Sequence, residues 1–140
     1  MARRAGYSQG RRVGSTPPAG PASDVGHWTD RDRADVAAEC DAIRAALADL
    51  TGEDTLSWTG YLAAHRKRRA FFATMGATST DHGHPTAATA DLSPSEAEAL
   101  FGRVTRGMPS AADAELFRAQ MLTEMATMSV DDGLVMQIHP

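Results

Sequence analysis

The sequence has a single cysteine, no long apolar run and little net charge. Its one cysteine, Cys40, can form neither an internal disulfide nor a multi-cysteine zinc site. No stretch approaches the roughly 20 apolar residues that cross a bilayer, and the apolar core of a secretory signal is missing, so we expect no membrane span and no export signal. A net charge of −4 gives no electrostatic reason to expect a nucleic-acid partner. These observations predict a cytoplasmic protein.

What the sequence does contain is divided between two regions of different character. Residues 1–23 hold four arginines, no acidic residue and many glycines and prolines, with Tyr7 and Val13 as the only large apolar side chains after Met1. Such a stretch buries too little apolar surface to offset the entropy of ordering, so residues 1–28 are predicted to be a disordered head. The arginines also allow a nucleic-acid arm or an organelle transit peptide. Residues 29–140 are predicted to be the folded region.

Capping residues and apolar spacing in the folded region predict four helices and two strands. The predicted helices run from Thr29 or Asp30 to Gly52, from Ser57 to Met75, from Ser93 to Gly107, and from Ser110 to a turn at Asp131, Asp132 and Gly133. The predicted strands are residues 77–80 and 134–138. Strands that alternate with helical connections indicate a parallel α/β architecture.

The sequence also predicts whether particular residues on these helices are buried or exposed. Cys40 lies among apolar helical positions and is expected to be buried and unreactive. His65 is expected on the surface, on the basic face of the second helix. Met121, Met125 and Met128 recur at helical spacing, which is most simply explained by core packing.

Polar and titratable residues follow both predicted strands. Asp81, His82 and His84 come just after the first, and His139 comes just after the second. In parallel α/β folds such positions form one edge, where these groups could bind a metal, transfer protons or hydrogen-bond a substrate. The same residues could also form an ordinary polar turn. The basic residues of the second helix are most simply explained as a solvent-exposed face. One of the arginines could instead bind a substrate carboxylate.

Several runs of this sequence resemble a known protein family. They are Leu50–Thr55, Trp58–Leu62, Arg66–Arg69, Phe71–Phe72, Met75–Thr86, Glu115–Met125 and Asp131–Pro140. Together they closely resemble an internal segment of the uronate isomerases, also called glucuronate isomerases. The residues before Thr51 are much less distinctive.

The resemblance implies a member of the amidohydrolase superfamily built on a (β/α)8 barrel. Such a barrel typically needs about 250 residues, so the chain is expected to be a partial barrel segment. The implied reaction is aldose–ketose isomerisation of D-glucuronate to D-fructuronate and of D-galacturonate to D-tagaturonate. A divalent metal, often zinc, is implied for the intact enzyme, with ligands outside this segment, so no metal ligand is predicted here. Uronate sugars are the implied partners, and a homo-oligomer is allowed for the intact enzyme.

Roles are predicted for six residues, of which the resemblance implies that Asp81, His82 and His139 face the pocket at strand ends. Acid or base catalysis is expected of Asp81, His82 and His139, and substrate binding of His84, Gln137 and Arg66.

Three interpretations of the chain remain open at this point. In the first interpretation the chain is part of a uronate isomerase. The second is a non-catalytic fragment from a truncated reading frame, which is favoured by the end of the sequence directly after a strand. The third is a small metal-binding module that uses His82, His84 and His139. The isolated chain is expected to be inactive on D-glucuronate.

Overall fold

The computed structural model describes residues 30–106 and 109–139, which form four helices and two strands. In chain order these are α1 (Asp30–Thr51), α2 (Trp58–Thr74), β1 (Ser79–Gly83), α3 (Pro94–Arg106), α4 (Ala111–Asp132) and β2 (Val135–His139). The predicted order of elements and the α/β class with two parallel strands are confirmed. The predicted head at 1–28 and the predicted helix end at Gly107 lie outside the described residues. No helix within the described ranges is long and apolar enough to cross a membrane.

The start of α2 is fixed by a capping serine. Ser57 has extended backbone angles (φ −103°, ψ 150°), and its Oγ accepts a hydrogen bond from the Gly60 N–H at 3.2 Å. This satisfies one of the backbone donors that every helix leaves free at its N-terminus. The predicted beginning of α2 is therefore correct.

The start of α3 is a reciprocal capping box. The Ser93 N–H donates to the Glu96 carboxylate at 2.9 Å, and the Glu96 N–H donates back to the Ser93 Oγ at 3.4 Å. Pro94 occupies the first helical position, where its missing N–H costs nothing. Ser110 caps α4 through its Oγ, which accepts from the Asp113 N–H at 3.0 Å.

The core lies between the helices, around a cluster of aromatic rings and methionines. Trp58 of α2 and Phe101 of α3 pack with ring centroids 5.7 Å apart. Met125 and Met128 of α4 are buried in the same cluster, and Met121 packs against it. The predicted role of the methionines in the core is confirmed.

One face of α1 differs from the prediction. Cys40 is exposed, and Ile43 and Leu50 are 61% and 66% exposed. Within the described residues α1 packs mainly along α2, so most of its apolar stripe has no second element to cover it. The prediction that Cys40 is buried is wrong.

The end of α4 also differs from the predicted turn at 131–133. The helix continues through Asp132, and only Gly133 leaves it, in the left-handed conformation (φ 77°). The Gly133 N–H donates to the Ser129 carbonyl at 3.0 Å and so closes the helix. Glycine accepts this backbone conformation without the steric cost of a Cβ atom.

Candidate functional site

The two strands pair in parallel, so their carboxyl ends lie at one edge. Ser79 pairs with Val135, and Gly83 pairs with His139. One hydrogen bond flanks each end of the pair: Val135 N–H donates to the Thr78 carbonyl at 3.0 Å, and His84 N–H donates to the His139 carbonyl at 3.1 Å.

The first strand lies further along the chain than predicted. It was expected at 77–80 but runs over Ser79–Gly83, so Asp81 and His82 lie within β1 and His139 is the last residue of β2. The reason is the partner strand, whose hydrogen bonds extend β1 through residues that have little strand propensity of their own. The site residues are thus held by sheet hydrogen bonds and do not lie on a loose turn.

Because successive side chains in a strand point to opposite faces, Asp81 and His82 are separated. The face of His82 also carries Thr80 and Met136, and Met136 packs on the helical core. We call this the helix face. The opposite face, which we call the open face, carries Asp81, Gln137 and His139.

On the open face a carboxylate and an imidazole meet. The Asp81 Oδ1 lies 3.0 Å from the His139 Nε2, and the two side chains are 64% and 68% exposed. A pair this exposed adds little to stability. Its accessibility instead leaves both groups free to contact a ligand.

On the helix face, His82 is held by its own strand. Its Nε2 lies 3.0 Å from the Thr80 Oγ1, and its ring centroid is 6.3 Å from that of His84. Burial lowers the pKa of His82 below that of a free imidazole, and the charges of His84 and Arg69 lower it further. His82 therefore favours its neutral form, in which one ring nitrogen can accept a proton.

His65 is not the surface residue that the sequence suggested. Its ring packs edge-on against Tyr61 with centroids 4.6 Å apart, and its Nε2 is buried with no hydrogen-bond partner among the residues that the structure describes. Burial lowers the pKa of His65, and the charge of Arg69 lowers it further. Tyr61, His65 and Arg69 recur every four residues, a spacing that indicates one inward face of α2. The prediction that His65 lies on the surface was wrong because it considered only the basic residues next to it in the sequence.

The lowered pKa of His65 predicts a stability loss in acid. An unfolded imidazole titrates near about 6.5, so below that pH the unfolded chain binds more protons than the folded one. Stability is full above this pH and falls as the pH drops toward the folded pKa. We expect His65→Gln to flatten the fall in Tm of the 140-residue chain between about pH 7.5 and about pH 5.5. His139→Gln, which removes an exposed imidazole, is the matched control, and equal slopes for His65→Gln and the unaltered chain would contradict the prediction.

The basic cluster of α2 divides into residues with different surroundings. Arg66 and Lys67 are exposed, as predicted for a solvated face. The Arg68 guanidinium lies 4.7 Å from the Phe71 ring centroid. Arg69 is buried and pairs with a carboxylate of α4. Among the described residues, no hydrogen bond or ion pair joins Arg66 to either face of the strands.

The described residues do not fit a metal centre by themselves. They contain no group of three or more His, Cys, Asp or Glu side chains placed to hold an ion. His82 lies on the helix face and His139 on the open face, so the histidines of the proposed metal-binding module do not converge. This arrangement argues against that module.

Most of the chain matches one known protein family. The sequence model of the glucuronate isomerase family matches residues 36–140. The uronate isomerase of Sphingopyxis alaskensis is 76% identical over 96 residues, which are 69% of this chain and 20% of that protein. The uronate isomerase of Xanthomonas campestris pv. campestris (strain 8004) is 73% identical over 94 residues, or 67% of this chain and 20% of that protein. The chain thus spans about one fifth of the length of these curated relatives.

Solved structures show the same partial coverage. The glucuronate isomerase of Caulobacter crescentus matches with a TM-score of 0.68 and 56% identity, over 80% of this chain and 22% of that one. The uronate isomerase of Thermotoga maritima matches with a TM-score of 0.66 over 70% of this chain and 22% of that one. At 21% identity, the second likeness bears on the fold alone.

Proposed function

Because the chain belongs to the glucuronate isomerase family, we propose that it forms a segment of a uronate isomerase and contributes Asp81 and His139 to the active site. The proposed reactions convert D-glucuronate to D-fructuronate and D-galacturonate to D-tagaturonate. The observation that carries this proposal is the 3.0 Å contact between the Asp81 Oδ1 and the His139 Nε2 at the carboxyl edge of two parallel strands.

The chemistry explains why such a pair is useful. In an aldose–ketose isomerisation a base removes the proton from C2 while O1 gains a proton, which gives an enediol. The O2 proton then leaves and C1 gains a proton, so no oxidant or reductant is needed. An imidazole that is oriented by a carboxylate can accept and return protons in such steps. We assign this exchange to His139 and the orienting role to Asp81.

The fold supports the placement of the pair. We propose that the intact protein is an amidohydrolase-superfamily (β/α)8 barrel, in which helices cover the outside of the strands and active sites lie at the carboxyl ends. The helix face of β1 and β2 would then be the outer side, and the open face would be the inner side. Asp81, Gln137 and His139 on the open face are consistent with this arrangement.

The remaining predicted site residues differ in how they fit the proposed active site. Gln137 is the register partner of Asp81 and could hydrogen-bond sugar hydroxyls from the open face. His84 would contact the substrate from just beyond the end of β1. His82 was predicted to be catalytic, but it lies on the helix face, which is the outer side in this arrangement, so the proposed proton exchange does not use it. Arg66 is proposed to bind the uronate carboxylate, a role that guanidinium geometry suits. No contact in the described residues supports the assignment of Arg66.

A divalent metal, proposed for the intact enzyme, would take its ligands from outside residues 30–139. When bound, such an ion supplies a Lewis acid that polarises the sugar carbonyl. We further propose a cytoplasmic enzyme whose partners are uronate sugars, with neither nucleic acid nor membrane involved. A homo-oligomer is compatible with this proposal.

The proposal is tested with a chimera. Residues 36–140 of this chain replace the matching segment of the full-length uronate isomerase of Sphingopyxis alaskensis. We expect the chimera to form ketouronate from D-glucuronate at a rate within about tenfold of the parent, since tenfold corresponds to only about 1.4 kcal/mol in the barrier.

One control and one contradicting outcome complete the test of the chimera. The 140-residue chain assayed alone is expected to form no ketouronate, because two strands do not make a barrel. A chimera that folds and is saturated with the metal but has no activity would overturn the proposed function.

A further inference from the structure

A buried arginine joins α2 to the end of α4. Arg69 is only 7% exposed. Its Nε donates to the Asp132 Oδ2 at 2.6 Å, and its Nη2 donates to the Asp132 Oδ1 at 2.9 Å and to the Ser129 Oγ at 2.9 Å. The planar guanidinium thus holds both carboxylate oxygens, a geometry that lysine cannot reproduce.

The same carboxylate holds the beginning of β2. The Asp132 Oδ1 also accepts a hydrogen bond from the Leu134 N–H at 3.0 Å. Between them Gly133 turns the chain in the left-handed conformation, and Leu134 is buried beside the turn. The hydrogen bonds from Arg69 lower the pKa of Asp132, so the carboxylate stays charged and able to accept all of these bonds at neutral pH.

The register of β2 follows from this turn. Val135 is the first residue of the strand and pairs with Ser79 of β1. From there the pairing places His139 opposite Gly83, where its imidazole reaches Asp81. A slip of one residue at the turn would move His139 to the other face of the sheet.

We propose that Arg69 and Asp132 are positioning residues for the site. We call the two side chains the latch: through Leu134 it fixes the register of β2 and thereby keeps His139 against Asp81. This inference rests on the proposed function for its effect on catalysis. Its effect on the strand is independent of that function.

The first test measures the strand itself. In the unaltered 140-residue chain and its Arg69→Lys variant, amide hydrogen exchange is compared for residues 133–139 and for α3. We expect Arg69→Lys to speed exchange in residues 133–139 at least tenfold and to leave α3 unchanged. Equal exchange in residues 133–139 would overturn the latch, whatever the chimera does.

The second test measures turnover in the chimera. Arg69→Lys is expected to lower kcat at least tenfold with KM changed less than threefold, because binding groups remain while His139 loses its position. Arg103→Gln, which breaks the exposed ion pair with Asp113 at 3.0 Å, is the matched control and should change neither value. An unchanged kcat in Arg69→Lys would overturn the positioning role.

A double variant separates positioning from stability. Replacing a buried ion pair by apolar side chains is often neutral for stability, whereas removing one partner is costly. In the chimera, Arg69→Met alone should lower the Tm, and the double variant Arg69→Met, Asp132→Leu should restore it. The kcat of the double variant should nevertheless stay at least tenfold below that of the unaltered chimera. Recovery of kcat together with Tm would show a purely structural role. If the unaltered chimera is inactive, the proposed function fails, and the exchange comparison alone decides on the latch.

Discussion

In the chimera, Asp81→Asn is expected to lower kcat for D-glucuronate by about 100-fold or more, the size of a lost acid–base contribution. Asparagine has nearly the same shape as aspartate but has no charge to orient and balance the imidazole of His139. Because the Asp81 side chain is 64% exposed, its contact with His139 contributes about 1 kcal/mol at most to stability. The Tm should therefore stay close to that of the unaltered chimera.

His139→Gln should give a loss of similar size, and the double variant should lose little more than either single one. Groups that act as a unit show this lack of additivity. Asp113→Asn is a matched control, since it neutralises an aspartate in another exposed pair whose two atoms also lie 3.0 Å apart. Full turnover in Asp81→Asn, or additive losses in the double variant, would contradict the assignment of the pair.

Most helix boundaries could be predicted from the sequence because they depend on a few neighbouring residues. Ser57 and Ser93 cap helices through hydrogen bonds to residues three positions away. Gly52 and Gly133 end helices because each can adopt a positive φ. Such signals act within one helical turn, so a single sequence contains them completely.

The candidate site could be located only in part. The sequence placed Asp81, His82 and His139 at the ends of strands, but the face of each side chain depends on where the strand begins. That start is set by pairing between residues more than 50 positions apart, such as Ser79 and Val135. The strand was predicted two residues too early, so Asp81 and His82 were placed after it. The prediction therefore could not show that their side chains lie on opposite faces of the sheet.

The latch was missed for a related reason. Arg69 stands in a run of basic residues that is typical of a solvated helix face, and its partner Asp132 is 63 residues away. Only the packing of α2 against α4 shows that one arginine of the run is buried. The one available signal was its spacing of four from His65 and eight from Tyr61 on the same helix.

Gly60→Ala is expected to destabilise the 140-residue chain by about 3 kcal/mol. A Cβ at this position would overlap the carbonyl oxygen of Asp54 and lie 2.7 Å from the carbonyl carbon and 2.9 Å from the Ser57 Oγ. Backbone atoms cannot move away as a flexible side chain can. The turn at Asp54 must therefore shift, and the shift also breaks the cap at Ser57, whose Oγ accepts from the Gly60 N–H. Overpacking costs about 1–3 kcal/mol and a lost cap about 1 kcal/mol.

Gly102→Ala in α3 is the matched control for this prediction. Among the described residues, its Cβ would meet only the end of the Arg106 side chain, at 3.7 Å, which is an ordinary contact. Alanine inside a helix is favoured over glycine by roughly 0.5–1 kcal/mol, so this variant should be slightly more stable. Urea unfolding followed by circular dichroism measures both changes. A Gly60→Ala chain as stable as the unaltered one would show that the loop before α2 is free to move, and that Ser57 can cap the helix without the close approach of Asp54 to Gly60.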